Sequence, residues 1–146
     1  MEVEHGRGIA TMLTAAAHGL SDFCFVALSD CGLGLYARSK LARGQAIVEY
    51  YGPRLPLRKL KHSKYALEVP GGDKARTFID GNHENVTAGR RGRRVEGDTT
   101  RSPAIYANHS RVPNCSLQHW PLQNGEHVLW LVAREPIDAG AEVSAR

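Results

Sequence analysis

Residues 104–115 read A-I-Y-A-N-H-S-R-V-P-N-C, and they crowd two Asn, a His, a Ser and a Cys into twelve positions. Three kinds of chemistry use such residues: a nucleophile with its base, a metal site, or a polar bend that holds something else. The nucleophile reading of Asn108-His109-Ser110 fails on geometry. Neighbouring residues rarely align an imidazole nitrogen with the adjacent hydroxyl, and working triads draw their members from distant positions. A metal needs three or four ligands, and no carboxylate stands near His109 and Cys115 to complete a set, so no metal is expected. An isolated N-H-S would be a turn in which Asn, Ser and Pro satisfy backbone groups.

The elements around this stretch must position it. The chain has 146 residues, enough for one domain with a core that needs neither metal nor disulfide. A hydrophobic share of 42% with 15 Gly describes a globular, loop-rich chain. Cys24, Cys31 and Cys115 are odd in number and form no C-x-x-C, so neither a disulfide framework nor a zinc knuckle is supported and a reducing compartment is the natural reading. No apolar run reaches the length of a membrane span, and the opening M-E-V-E-H-G-R-G lacks the basic start and apolar core of a secretory signal. The formal charge of +4 is a mild basic bias.

Residues 9–20 are Ala-rich and read as a short helix ending at Gly19. From Phe23 onward the character is β. F-C-F-V-A-L, L-Y-A, A-I-V-E-Y-Y, Y-A-L-E-V, T-F-I-D, E-H-V-L-W-L-V-A-R-E and A-E-V-S-A-R read as strands. C-G-L-G, L-A-R-G-Q, Gly52-Pro53, Pro70-Gly71-Gly72 and I-D-A-G read as turns. P-L-R-K-L-K-H-S-K is basic and weakly helical. Residues 80–103 form a long basic insertion loop carrying Arg90, Arg91, Arg93, Arg94 and Arg101. Many short strands, Gly turns and little helix give a mainly β fold.

Four stretches stand in a fixed order: G-L-G-L-Y-A at 32–37, E-Y-Y-G at 49–52, Y-A-N-H-S-R-V-P-N-C at 106–115 and I-D-A-G-A-E-V-S at 137–144. Together, with Phe78-Ile79-Asp80 between the second and third, they resemble the SET domain, the fold of many protein lysine methyltransferases. The resemblance covers residues 23–146 and leaves 1–22 as an N-terminal extension. It implies several short β-sheets of β-clip type with a C-terminal pseudoknot, and S-adenosylmethionine as cofactor. It implies methyl transfer to a protein lysine, with a histone tail as substrate and a nuclear setting (or a cytoplasmic one). By the same resemblance Gly32, Leu33, Gly34, Tyr65, Tyr106, Asn108 and His109 belong to the cofactor side. Tyr50 belongs to the lysine channel as the catalytic residue. The basic loop, through Arg90, Arg91, Arg93 and Arg94, becomes a candidate contact with the nucleosome.

This chain departs from the family pattern in places. Ile105 stands where relatives carry Arg, and Arg111 where Cys often follows N-H-S. No pre-SET or post-SET cysteine cluster is present in this sequence. Ala145 occupies the position at which relatives carry Phe or Tyr, and the tyrosine that closes the lysine channel would fall at position 147, one past Arg146. A fragment, a lost tyrosine and a local slip of register all account for that count. Two further readings therefore stand beside the enzyme: a non-catalytic SET module that binds or scaffolds, and a small basic β-domain on nucleic acid. The second is the poorer fit, because no aromatic residues are interleaved with the arginines.

Overall fold

The structure is a computed structural model that describes residues 3–5 (backbone only), 23–60, 65–70, 76–81 and 102–146. The helix expected over 9–20, residues 61–64 of the basic segment and the arginines of the insertion loop lie outside the described residues. Among the described residues there is no α-helix, only 3-10 turns at Leu57–Lys59 and Pro103–Tyr106. The expectation of a mainly β chain in several small sheets holds.

Eleven strands are described: β1 Val3–His5, β2 Cys24–Ser29, β3 Gly32–Ala37, β4 Ala46–Tyr50, β5 Arg54–Pro56, β6 Ala66–Val69, β7 Thr77–Asp80, β8 Asn108–His109, β9 Cys115–Pro121, β10 His127–Ala133 and β11 Glu142–Ala145. They form three sheets in the orders β1-β9-β10-β4, β2-β3-β11-β8 and β5-β7-β6. The 1–22 extension thus contributes an edge strand, with Val3–His5 running parallel to β9 from Leu117 to His119.

β10 explains why H-V-L-W-L-V-A reads as an unbroken apolar run. Side chains alternate across a strand, and here both faces are covered. Leu129, Leu131 and Ala133 enter the main core with Leu35, Leu41, Ile47, Val48, Leu117 and Val143. Trp130 and Val132 enter a second cluster with Ala46 and Trp120. A strand buried on both faces has no polar alternation to show. β9 is the reverse case. Ser116, Gln118 and His119 interrupt it and Pro121 ends it, so the sequence gives no run there, yet it pairs along its whole length with β10.

The expected C-G-L-G turn sits earlier than the glycines. Asp30 and Cys31 make the bend, and Gly32–Gly34 already belong to β3, paired with Ser29–Ala27. Gly32 takes a φ of +106, a conformation that side-chain-bearing residues rarely adopt, and opens the strand directly out of the bend.

One strand of four residues ties distant parts of the chain together. β11 runs antiparallel to β3, with Val143 opposite Leu35, and parallel to β8, with Ser144 opposite Asn108. Beyond β8 the chain keeps hold of it. Ser110 N–H donates to the Ala145 carbonyl at 2.9 Å. Asn114 Nδ2 donates to the Glu142 carbonyl at 2.8 Å, and its Oδ1 accepts from the Ser144 N–H at 2.9 Å. One side-chain amide thereby takes the place of a strand on β11, satisfying a donor and an acceptor two residues apart. The P-N pair of the opening motif is a clasp on the C-terminal strand.

Two outcomes follow from this packing. Asn114→Ala leaves two partly buried backbone groups without partners, which costs about 1–3 kcal/mol, and Asn114→Asp keeps the acceptor while losing the donor. The thermal midpoint should therefore fall most for Ala and less for Asp. The second concerns alkali. Burial pushes the Cys24 thiol up to about 11, against a small opposing pull from Arg38, and pushes Cys115 up to about 12. Burial, then Asp80 and Tyr65, also raises the Tyr50 phenol. Each thiol keeps its proton longer in the folded chain, so its contribution is complete below the ordinary value of 9.0 and is lost as pH climbs through 11–12, with the phenol adding to the loss above its ordinary value of 10.0. Urea midpoints measured from neutrality to about pH 11 should fall on the alkaline side, and Cys24→Ala with Cys115→Ala should flatten that slope.

Candidate functional site

β8 begins at Asn108 and lays it across the start of β3. Asn108 Nδ2 lies 2.8 Å from Glu142 Oε2, 3.3 Å from the Leu33 carbonyl and 3.4 Å from Ser29 Oγ. Three stretches far apart in the chain (the G-L-G strand, the N-H-S turn and the closing A-E-V strand) meet at this amide. Gly34 makes the meeting possible. A Cβ there would fall 2.9 Å from Glu142 Oε2 and 3.3 Å from Asn108 Nδ2. The glycine thus gives room to the protein's own side chains, on the side that the resemblance gives to the cofactor. Gly32 differs, since a Cβ at that position would meet nothing within 4 Å. The backbone at Gly32 and the exposed Leu33 therefore border open space beside the amide. Among the described residues no group donates to Asn108 Oδ1, so that oxygen is an open acceptor there.

His109 is exposed, with its backbone paired to Ala145. Tyr106 ends the 3-10 turn Pro103–Tyr106 and lies half-buried against the main core. That turn is anchored at its start by Ser102, fully buried, whose hydroxyl accepts from Ala104 N–H at 3.1 Å and donates to the Glu49 carbonyl of β4. The turn packs against both β3 and β4 and leads directly into Asn108.

A second group of site residues is centred on Tyr50, the last residue of β4. Its side chain is fully buried, and its hydroxyl donates to the Tyr65 carbonyl at 2.6 Å. The Gly81 N–H donates to the same carbonyl at 3.0 Å. Gly81 is packed tightly here: a Cβ would lie 2.6 Å from Ile105 Cγ2 and 2.8 Å from the Tyr50 hydroxyl. Asp80, fully buried, lies close enough to act on the phenol. Burial first, then the charges of Asp80 and Tyr65, holds the Tyr50 proton well above the ordinary phenol range. At neutral pH this group is a phenol whose proton is already committed to a carbonyl, so its oxygen has only lone pairs left to offer.

The structure therefore brings Asn108 to Gly34 and Leu33, and Tyr50 to Tyr65, with Tyr106 on the turn that packs against β3 and β4. His109 stands apart on the surface. Sequence reasoning left Glu142, Ser29, Gly81 and Asp80 without roles. The I-D-G triplet at 79–81 and the acidic residue of A-E-V carry the only signal for them, and it becomes readable once the strands are paired. The departures also find places. Ile105 fills apolar space against Gly81, where an arginine would bury its charge. Arg111 is exposed and its carbonyl accepts from Arg146 Nη2 at 2.8 Å. Among the described residues no three His, Cys, Asp or Glu side chains come together as a metal site.

Comparison with known proteins identifies the family. The model of the SET domain family matches residues 32–145. Over 130 residues the chain is 26% identical to the histone-lysine N-methyltransferase ash1 of Drosophila melanogaster, a match that takes in 89% of this chain and 5% of that protein. The chain therefore spans a small part of that relative's length. The four ordered motifs, the three small sheets and the match over 32–145 lead to one assignment: this chain belongs to the SET domain family.

Proposed function

We propose that this domain transfers a methyl group from S-adenosylmethionine to a lysine side chain of a protein, with a histone tail as the substrate and the nucleus as the setting. One observation carries the reading most. The open edge at Gly32 and Leu33 with its free Asn108 acceptor, and the buried Tyr50 phenol, belong to strands that pack against one 3-10 turn, as a cofactor and a lysine meeting from two sides require. The similarity to a histone-lysine N-methyltransferase supports the substrate class.

S-adenosylmethionine supplies, when bound, a methyl group made electrophilic by its sulfonium. The residues of this chain have the remaining tasks. Asn108 Oδ1 and the backbone at Gly32–Gly34 bind and orient the cofactor, with Tyr106 on the neighbouring turn; Tyr65 and His109, which the resemblance also gives to the cofactor, lie beside Tyr50 and on the surface. Tyr50 faces the lysine. The amine has to arrive without its proton, and its ordinary pKa of about 10.4 opposes that at neutrality. Burial disfavours the ammonium, and the face of an aromatic ring tolerates what charge remains. With its own proton held by the Tyr65 carbonyl, the Tyr50 oxygen offers only lone pairs, which accept an amine N–H and turn the nitrogen lone pair toward the methyl. Alignment of this kind, with water excluded, lowers the barrier by several kcal/mol.

A second reading keeps the cofactor pocket but not the turnover. Ala145 packs into the main core at a position where relatives carry an aromatic residue, and a module without that ring would act as a binding or scaffold domain. Arg90, Arg91, Arg93 and Arg94 lie outside the described residues. We propose them as a contact with acidic nucleosome surfaces.

Labelled S-adenosylmethionine with a panel of histones and nucleosomes tests the main reading, and two variants divide it. Asn108→Ala should weaken cofactor binding about tenfold or more, since loss of a half-buried amide with hydrogen-bond partners costs about 1–3 kcal/mol. Tyr50→Phe should leave cofactor affinity nearly unchanged and slow transfer, while the Tyr65 carbonyl retains the Gly81 N–H and the fold survives. Calorimetry and a thermal melt on each variant decide between these roles and mere packing, under which both changes lower stability and neither alters the cofactor. Binding without transfer to any panel member would favour the scaffold reading. Reversing Arg93 and Arg94 to Glu should weaken nucleosome binding and make it less salt-dependent; unchanged affinity removes the loop from the interface.

A further inference from the structure

We infer that Glu142 is the positioning residue that fixes which end of the Asn108 amide faces the ligand. The argument starts from the neighbours of Nδ2. Glu142 Oε2 is a carboxylate oxygen, and the Leu33 oxygen is a backbone carbonyl, so both accept only. Ser29 Oγ could in principle do either, but its proton goes to the Gly32 carbonyl at 2.9 Å, and it already accepts from the Cys31 N–H at 3.3 Å. Toward Asn108 it too is an acceptor. Three acceptors on one side force the NH2 group of the amide inward and Oδ1 outward.

The three are not equal. Glu142 makes the shortest contact, at 2.8 Å against 3.3 and 3.4 Å, and the only one with a formal charge, which makes a hydrogen bond roughly twice as strong. The placement is built rather than incidental. Glu142 is held on β11 opposite Tyr36 of β3, its own carbonyl is gripped by Asn114, and Gly34 has no side chain to come between the two groups. A ligand at this edge must accordingly bring a donor to Oδ1, and a cationic donor is favoured by the carboxylate behind the amide. This step rests on the cofactor reading, whereas the orientation of the amide does not.

A charge-swap cycle in the purified chain tests it. Asn108→Asp sets two carboxylates against each other and should lower the thermal midpoint sharply. Adding Glu142→Gln to that variant restores a donor facing an acceptor, now reversed in direction, and should recover more than half of the loss. Additive effects of the two substitutions would overturn the inference, because a residue that only packs cannot rescue its neighbour's charge. Glu142→Gln alone, whose side chain can turn either end toward Asn108, should weaken S-adenosylhomocysteine binding by about tenfold with the melt little changed. If the rescue appears but the wild-type chain takes up no S-adenosylhomocysteine, the positioning stands and the cofactor reading falls. If the wild type binds and Glu142→Gln binds equally well, the orientation has no part in recognition and the inference fails.

Discussion

The structure depends on how β11 is held. A strand of four residues pairs with β3 on one side and β8 on the other, and the side-chain amide of Asn114 supplies further hydrogen bonds to it. Short strands are stable when their backbone groups are all satisfied and their inward side chains are buried. Val143 and Ala145 meet the second condition, both at the centre of the main core. The same strand carries Glu142 into contact with Asn108, so the segment that closes the fold also completes the polar group at the open edge of the sheet.

The two asparagines of N-H-S-R-V-P-N thus divide their labour. Asn114 is structural, a replacement for strand backbone. Asn108 is structural on its nitrogen and available on its oxygen. Both depend on the polar, Pro-containing bend between them, which returns the chain to β9 through Arg134 N–H on the Asn114 carbonyl at 2.8 Å. The crowding of polar residues in this stretch has a physical cause: a bend wrapped around a strand has no neighbouring strand of its own, so side chains must meet the hydrogen-bonding demand.

Much of this was legible in the sequence, and the failures have causes. β4, β7, β10 and β11 announce themselves through apolar content bounded by Gly and Pro. β9 does not, because Gln118 and His119 lie on the part of a strand whose burial is decided by distant partners. The glycines at 32 and 34 were visible as a pair, but their reasons differ: one needs a positive φ and the other needs to admit Glu142 and Asn108. Only the pairing of β3 with β11 tells them apart. Tyr50 could be placed at the end of a strand before Gly52-Pro53. Its tight packing against Gly81 and Ile105, and its bond to the Tyr65 carbonyl, require contacts across 15 residues and more that no local pattern encodes.

The pairing of Val143 with Leu35 also sets an order of events during synthesis. Contacts between residues so distant in the chain close late, because the loop between them must first be confined. β2 and β3 can form their hairpin soon after emerging from the ribosome, and β9 and β10 can do the same later, each being locally connected. Glu142 and Ser144 leave after both hairpins and the Asn114 bend, and until they do Asn108 has no charged partner and Asn114 nothing to grip. A nascent chain of this domain can thus hold a good share of its sheets while the edge around Asn108 is still unassembled, and recognition there waits on the arrival of β11.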